Sequence, residues 1–211
     1  MPLLLGAARR ALEAMRLIYG RTWTGWSPTQ VIGRDMSGGR LGIVGMGRIG
    51  RAIARRARHG FGVEVHYHNR TRLAAGLEDG ATFRARLDDL LPLSDFLMLA
   101  APATSDTRGL LNARSIDKLP NGAVVANVSR GGLVDDEALI AALGSGRVMA
   151  AGLDVFNGEP AIHEGYLGLP NVFLQPHQGS STIETRLRMG TLLLDSIARV
   201  RAGETVANRL A

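Results

Sequence analysis

An alternation constrains this chain more than any other feature. Short apolar runs recur along it, each followed by a stretch whose apolar residues fall at helical spacing. "RLGIVG" (40–45) reads as a strand and "RIGRAIARRARHG" as a helix closed by Gly60. "VEVHYH" reads as a second strand, "LDDLLPLS" as a short helical piece and "DFLMLAA" as a third strand. "SIDKLP" is a helical turn before a fourth strand, "GAVVANVS". "DDEALIAALGSG" is a helix with acids in its first turn, where the helix dipole favours them. "VMAAGLDVF" and "NVFLQP" complete six strands, and "STIETRLRMGTLLLDSIARVRAG" is a long closing helix. Strands that alternate with helices imply an α/β fold: a doubly wound parallel sheet, covered on both faces and joined by right-handed crossovers. Ahead of it, residues 3–19 read as one amphipathic helix, and 21–39, rich in Gly, Ser, Thr and Pro, as a loop.

Sheets of this kind bind ligands beyond the carboxyl ends of their strands. Arg130, in "NVSRGG", stands at one such end, Asp154 after "AAGL" at another, and His177 after "VFLQP" at a third. Arg130 draws notice first, because a guanidinium behind a buried strand is costly without an anionic partner. "GIVGMGRIG" adds Gly45, Gly47 and Gly50 in G-x-G-x-x-G spacing, after a strand and opening a helix, which is the context that gives the pattern meaning. Gly45 permits the tight turn, Gly47 the approach of a pyrophosphate, and Gly50 close packing of helix on strand, with Arg48 and Ile49 between them at the helix start. The plain alternative is a glycine-rich turn with no ligand. At the end of the second strand, "YHNRTR" has no carboxylate for ribose hydroxyls; Asn69 takes that place, followed by Arg70, Thr71 and Arg72. An arginine pairs with a 2′-phosphate, so NADP(H) is favoured, Arg70 being the better candidate, with NAD(H) also open. These arginines could instead be a solvated surface loop.

Composition narrows the class. The chain has 211 residues, 45% apolar, enough for a substantial core, and no apolar run long enough to span a membrane. The opening "MPLLLGAARRALEAMRLIYG" carries its arginines after the apolar run, which reads as an amphipathic helix rather than a signal peptide. Without cysteine there is no disulfide, thiol nucleophile or Cys-based metal site; no metal is expected, and a cytoplasmic location is the default. The net charge of +6 is nearly all arginine, Lys118 being the one lysine. Its scatter along the chain, with few aromatics between, speaks against nucleic acid and suits an anionic small molecule.

Five stretches then carry a family resemblance: "GRLGIVGMGRIGRAIARRA", "APATSDTRGLLN", "GAVVANVSRGGLVDDEALIAAL", "AGLDVFNGEP" and "LPNVFLQPHQGSSTIETR". In their order and spacing the chain resembles the D-isomer-specific 2-hydroxyacid dehydrogenases, particularly glyoxylate/hydroxypyruvate reductases, from about residue 3 onward. The resemblance implies a Rossmann NAD(P)-binding domain and hydride transfer between NAD(P)H and a small 2-oxo acid. It implies that Arg130 holds the substrate's carboxylate and keto oxygen, that His177 is the general acid/base, and that Glu159 is its carboxylate partner. Such a trio makes chemical sense: an imidazole carries the proton, a neighbouring carboxylate favours its protonated form, and a guanidinium stabilises charge on the oxygen. It further places Asp154 near the nicotinamide carboxamide, and Ala101, Pro102, Thr107, Val128, Ser129 and Gly179 along the cofactor site.

Each of these residues has a plainer reading. His177 could be a turn histidine, Glu159 could cap a turn before Pro160, and Arg130 could pair with Asp135 or Asp136 to hold a helix start. The resemblance also implies a departure: family members carry a substrate-binding segment ahead of the helix in which Met1 falls. On that basis residues 1–20 are expected as a remnant interdomain helix, 21–183 as the dinucleotide domain, and 184–211 as the closing helix. Gln178 stands where the family often has an apolar residue, with no assigned effect. Trp23 and Trp26 lie where the family has an arm embracing a partner subunit, so a homodimer through 21–39 is expected, unless the tryptophans fill the domain's own core. Three functions compete: an NADP(H)-dependent 2-oxo acid reductase, a truncated dinucleotide-binding module with little or no turnover, and a regulatory protein that senses the dinucleotide.

Overall fold

In the computed structural model, which describes residues 1–206, the strands are Arg40–Val44 (β1), Glu64–His68 (β2), Thr82–Phe83 (β3), Phe96–Leu99 (β4), Ala123–Asn127 (β5), Val148–Leu153 (β6) and Val172–Leu174 (β7). All are parallel, in the order β3-β2-β1-β4-β5-β6-β7. The expected doubly wound sheet is therefore present, with one strand more than the sequence suggested. The extra one, β3, is two residues long, too short to leave a periodicity.

The helices are Pro2–Ala8 (α1), Ala11–Tyr19 (α2), Arg48–Phe61 (α3), Ala75–Glu78 (α4), Leu87–Leu90 (α5), Ala113–Ile116 (α6), Asp136–Gly144 (α7) and Ile183–Arg201 (α8). Side chains alternate across the strands. Phe96, Met98, Val124 and Ala126 join Leu3, Leu4, Ile53 and Ala57 on one face. Leu97, Leu99 and Val125 join Leu139, Leu143 and Tyr166 on the other. α3 turns Ile53, Ala54 and Ala57 inward and its arginines outward. It ends one residue beyond the expected Gly60, because Gly62, at φ +63°, is the glycine in the left-handed cap and bonds back to Arg58.

The helix expected over 3–19 is broken in two. Arg10 takes φ 51°, and the chain at 33–34 reaches in: Arg34 N–H donates to Ala8 O at 2.8 Å, where Gly33 leaves no side chain to obstruct it. α1 buries Leu3, Leu4, Ala7 and Ala8, and its backbone rests on Gly152 of β6 so closely that a Cβ there would meet Leu3 O at 2.5 Å. Each buried leucine contributes about 1.5–3 kcal/mol. α2 buries nothing.

Residues 1–177 form one compact unit and a second begins at Gln178. Within the second unit, α8 is capped by Thr182, whose Oγ1 accepts from Thr185 N–H, and it exposes Leu187, Leu193, Leu194 and Val200. No helix among the described residues is long and apolar enough to cross a membrane.

Candidate functional site

The strand register makes the site. Val44 pairs with His68 and Leu99, Leu99 with Asn127, Asn127 with Leu153, and Leu153 with Leu174. The carboxyl ends of six strands thus stop level. Gly45, Asn69, Val128 and Asp154 follow directly, and Ala101 and His177 stand two and three residues past their strands. The sheet therefore brings together residues drawn from six separate sequence stretches. Gly179 belongs to the second unit.

At the β1 end, backbone meets backbone. Gly45, at φ +97°, lies against the loop after β4; a Cβ there would sit 2.3 Å from Ala101 N. One on Gly50 would meet Gly45 O at 2.2 Å. A Cβ on Gly47 would meet nothing within 4 Å. Gly45 and Gly50 thus serve packing, and Gly47 faces open space. Gly47 also caps α3 without a side chain, and the first turn of that helix has no acidic residue. Its first amides are left to an outside acceptor, with the positive end of the helix dipole behind them. Arg48 and Ile49 are exposed there. These features fit the diphosphate of a dinucleotide.

Asn69 has a role the sequence did not reveal. Its Oδ1 accepts from Met46 N–H at 2.7 Å, tying the end of β2 to the glycine loop. Arg72 forks onto Glu78 at 2.9 and 3.1 Å, and Tyr67 donates to the same carboxylate at 2.6 Å. Arg72 and then Tyr67 hold the Glu78 carboxyl below its ordinary range. Arg72 is thus committed. Arg70 and Thr71 are exposed, and Arg70 has no hydrogen-bond or ion-pair partner among the described residues.

Beyond β4, Thr107 closes its own loop, donating to Pro102 O at 2.7 Å and accepting from Thr104 N–H at 2.8 Å. Beyond β5, buried Asn127 organises the arginine turn. Its Oδ1 accepts from Ser129 N–H and Oγ, and its Nδ2 donates to Arg130 O at 2.9 Å. Val128 and Ser129 are half-buried and Arg130 is exposed. Asp154, 5% exposed, bonds through its N–H to Asn127 O at 3.1 Å, which links the two strand ends.

At the β7 end, His177 sits at φ 50° with Nδ1 2.8 Å from Glu159 Oε2. Glu159 Oε1 accepts from Phe156 N–H at 2.9 Å. The bond from His177 and then that from Phe156 hold the Glu159 carboxyl below its ordinary value, with Arg130 adding a smaller attraction. The carboxylate stays ionised, and one imidazole nitrogen is engaged. A cavity of about 430 Å³ opens beside the pair, walled largely by Phe156, Pro160, Ile162 and Leu167.

The plainer readings of these residues fare unevenly. Arg130 does not pair with Asp135 or Asp136: Asp135 caps α7 through Ala138 N–H, and Asp136 accepts from Tyr166 and Asn157. Among the described residues, Arg130 Nη1 reaches only the backbone, at Ser129 O. Nor do the tryptophans fill the core; Trp23 is 50% exposed and Trp26 83%. Sequence reasoning missed Asn127, though a polar residue ending the run "AVVAN" was a signal. It also missed Gly131, where a Cβ would lie 2.0 Å from the Phe156 carbonyl carbon. The Arg130 turn and the Glu159 loop therefore touch backbone to backbone.

The family model "D-isomer specific 2-hydroxyacid dehydrogenase, NAD binding domain" matches residues 1–179. Glycerate dehydrogenase from Hyphomicrobium methylovorum is 45% identical over 100% of this chain and 66% of its own length. Glyoxylate reductase from Thermococcus onnurineus is 42% identical over 98% of this chain and 64% of its own. A crystal structure described as a D-isomer specific 2-hydroxyacid dehydrogenase, NAD-binding, from Polaromonas sp. JS6 66 superposes with a TM-score of 0.94 at 52% identity, covering 98% of this chain and 65% of that one. The chain thus spans somewhat under two thirds of the length of these relatives. A glycine loop at the switch point of a parallel sheet, a matched NAD-binding model and relatives this similar lead to one conclusion: the chain belongs to the D-isomer specific 2-hydroxyacid dehydrogenase family.

Proposed function

We propose that this chain is the dinucleotide-binding part of a reductase that converts small 2-oxo acids, of the glyoxylate or hydroxypyruvate kind, to 2-hydroxy acids. The observation that carries this reading is the 2.8 Å bond between His177 and Glu159 at a strand end, in a loop that touches the Arg130 turn. Names of relatives such as glycerate dehydrogenase and glyoxylate reductase support the substrate class.

The residues divide the work as follows. The glycine loop and the start of α3 would hold a nicotinamide dinucleotide, which would supply the hydride for the carbonyl carbon. Arg130 grips the substrate carboxylate and draws electron density toward the keto oxygen. Glu159 occupies His177 Nδ1, so Nε2 is the ring nitrogen left to deliver the proton to that oxygen. The ionised Glu159 stabilises the charged imidazole before the transfer and orients it throughout. In the opposite direction Nε2 takes the proton from the hydroxyl.

NADP(H) is the proposed cofactor. No carboxylate stands at the end of β2, Asn69 is engaged with the glycine loop, and Arg70 is left to meet a 2′-phosphate. A homodimer through residues 21–39 is part of the proposal, supported by the exposed Trp23 and Trp26; a monomeric mass in light scattering overturns it. The cytoplasm is the proposed compartment, on the cysteine-free composition.

The test is the loss of nicotinamide absorbance with hydroxypyruvate, using NADPH and NADH side by side and His177→Asn as control. Turnover that disappears in the control supports the reading. Intact dinucleotide binding without turnover overturns it for this chain and leaves a binding module.

A further inference from the structure

The loop that carries Glu159 is held to the start of α7 by side chains from both its ends. Asn157 Nδ2 donates to Asp136 Oδ2 at 2.8 Å and to Val134 O at 3.1 Å. Tyr166, 1% exposed, donates its hydroxyl to Asp136 Oδ1 at 2.8 Å. Between them, His163 accepts from Gly165 N–H at Nδ1, so its Nε2 carries the proton and donates to Glu137 at 3.0 Å. Each oxygen of Asp136 thus takes one end of a loop that contains Glu159, two residues from Asn157. α7 itself follows directly from the Arg130 turn, whose Gly131 abuts Phe156 and Asn157.

We propose that Asp136 is a positioning residue whose carboxylate, with Asn157 on one oxygen and Tyr166 on the other, fixes the Glu159 loop against the Arg130 turn and so holds Glu159 at His177. Its consequence for turnover rests on the reductase reading above; its geometry does not. Helix capping does not explain these contacts, because Asp135 already caps α7. Tyr166 is well suited to the task. Burial and then Asp136 push its hydroxyl far above the ordinary tyrosine value, so it stays a donor.

The test separates positioning from simple electrostatics. Removing a nearby negative charge lowers a carboxyl's pKa further; losing the bonds from His177 and Phe156 raises it. In protein labelled with ¹³C at the glutamate carboxyls, with the Glu159 signal assigned by Glu159→Gln, the wild type titrates below ordinary glutamate. Asp136→Ala is expected to move Glu159 upward by about 0.5 pH unit or more, a roughly threefold loss of proton acidity. Tyr166→Phe, which keeps the Asn157 tie, moves it upward by less. An unchanged or lowered Glu159 midpoint in a folded variant overturns the proposal. Where Asp136→Ala fails to fold, Asp136→Asn and Tyr166→Phe decide by the same criterion. A second reading compares hydroxypyruvate turnover: kcat falls in Asp136→Ala while NADPH affinity holds. An upward Glu159 shift in a wild type that turns nothing over supports the positioning role and sinks the reductase reading alone.

Discussion

At the β1 end of the crevice, shape comes from side chains that are missing; at the β6–β7 end, it comes from side chains that reach one another. Gly45 and Gly50 fall within one short stretch and act through backbone approach. Glu159 and His177 are 18 residues apart, and Asp136 lies 30 from Tyr166. The first design tolerates almost no substitution, because a Cβ cannot rotate away from a backbone atom. In the second, the half-exposed Glu159–His177 pair contributes little to the core, so the fold tolerates its substitution.

Four measurements sharpen or break that contrast. The largest effect belongs to Gly50→Val, which forces side-chain atoms into Gly45 O. Urea unfolding is expected to show about 3 kcal/mol of lost stability, together with lost dinucleotide binding. Stability within 1 kcal/mol of wild type would mean that the glycine loop is not set by backbone contact. Next comes His177→Asn, chosen because asparagine accepts the positive φ. Turnover is expected to fall by about 10²–10⁴, while stability changes by no more than about 0.5 kcal/mol. A large stability loss would make the pair structural. Arg70→Ala follows, with NADPH binding about tenfold weaker, close to 1.4 kcal/mol, and NADH binding unchanged; equal effects on both overturn the NADP(H) preference. The smallest effect concerns acid. Since the folded-state pKa of Glu159 lies below its ordinary value, its contact adds stability above the ordinary glutamate range and loses it as pH falls through the folded value. The gap in urea midpoint between wild type and Glu159→Gln should therefore narrow between neutral pH and about pH 3. A gap that is constant with pH rules out an ionic origin.

The same contrast explains what was legible in the sequence. The alternation of strands and helices and the glycine spacing are local patterns, and they predicted the sheet and the glycine turn after its first strand. Arg130, Glu159 and His177 drew attention through resemblance and through strand-end placement, not through any local rule. The hydrogen bond from Met46 to Asn69 was invisible, because it depends on β1 and β2 stopping level. The break at Arg9–Arg10 was invisible too: periodicity runs through it, and only the return of Gly33 and Arg34 to Ala8 ends the first helix. Asp136, Asn157 and Tyr166 form a cluster only once the loop has closed on α7.

The position of β1 between β2 and β4 also sets an order of events. β1 finds one neighbour soon after itself, but the other arrives much later in the chain. Asp95 at the start of β4 joins Arg40 of β1 from 55 residues away. Closing so long a loop is entropically costly before any contact rewards it, and chains dominated by such pairings fold slowly. Gly45 acquires its wall at Ala101 only when that closure is complete. A refolding chain that has regained dinucleotide affinity has therefore passed this closure, and the dinucleotide itself, by binding only the closed form, should raise the yield of refolding.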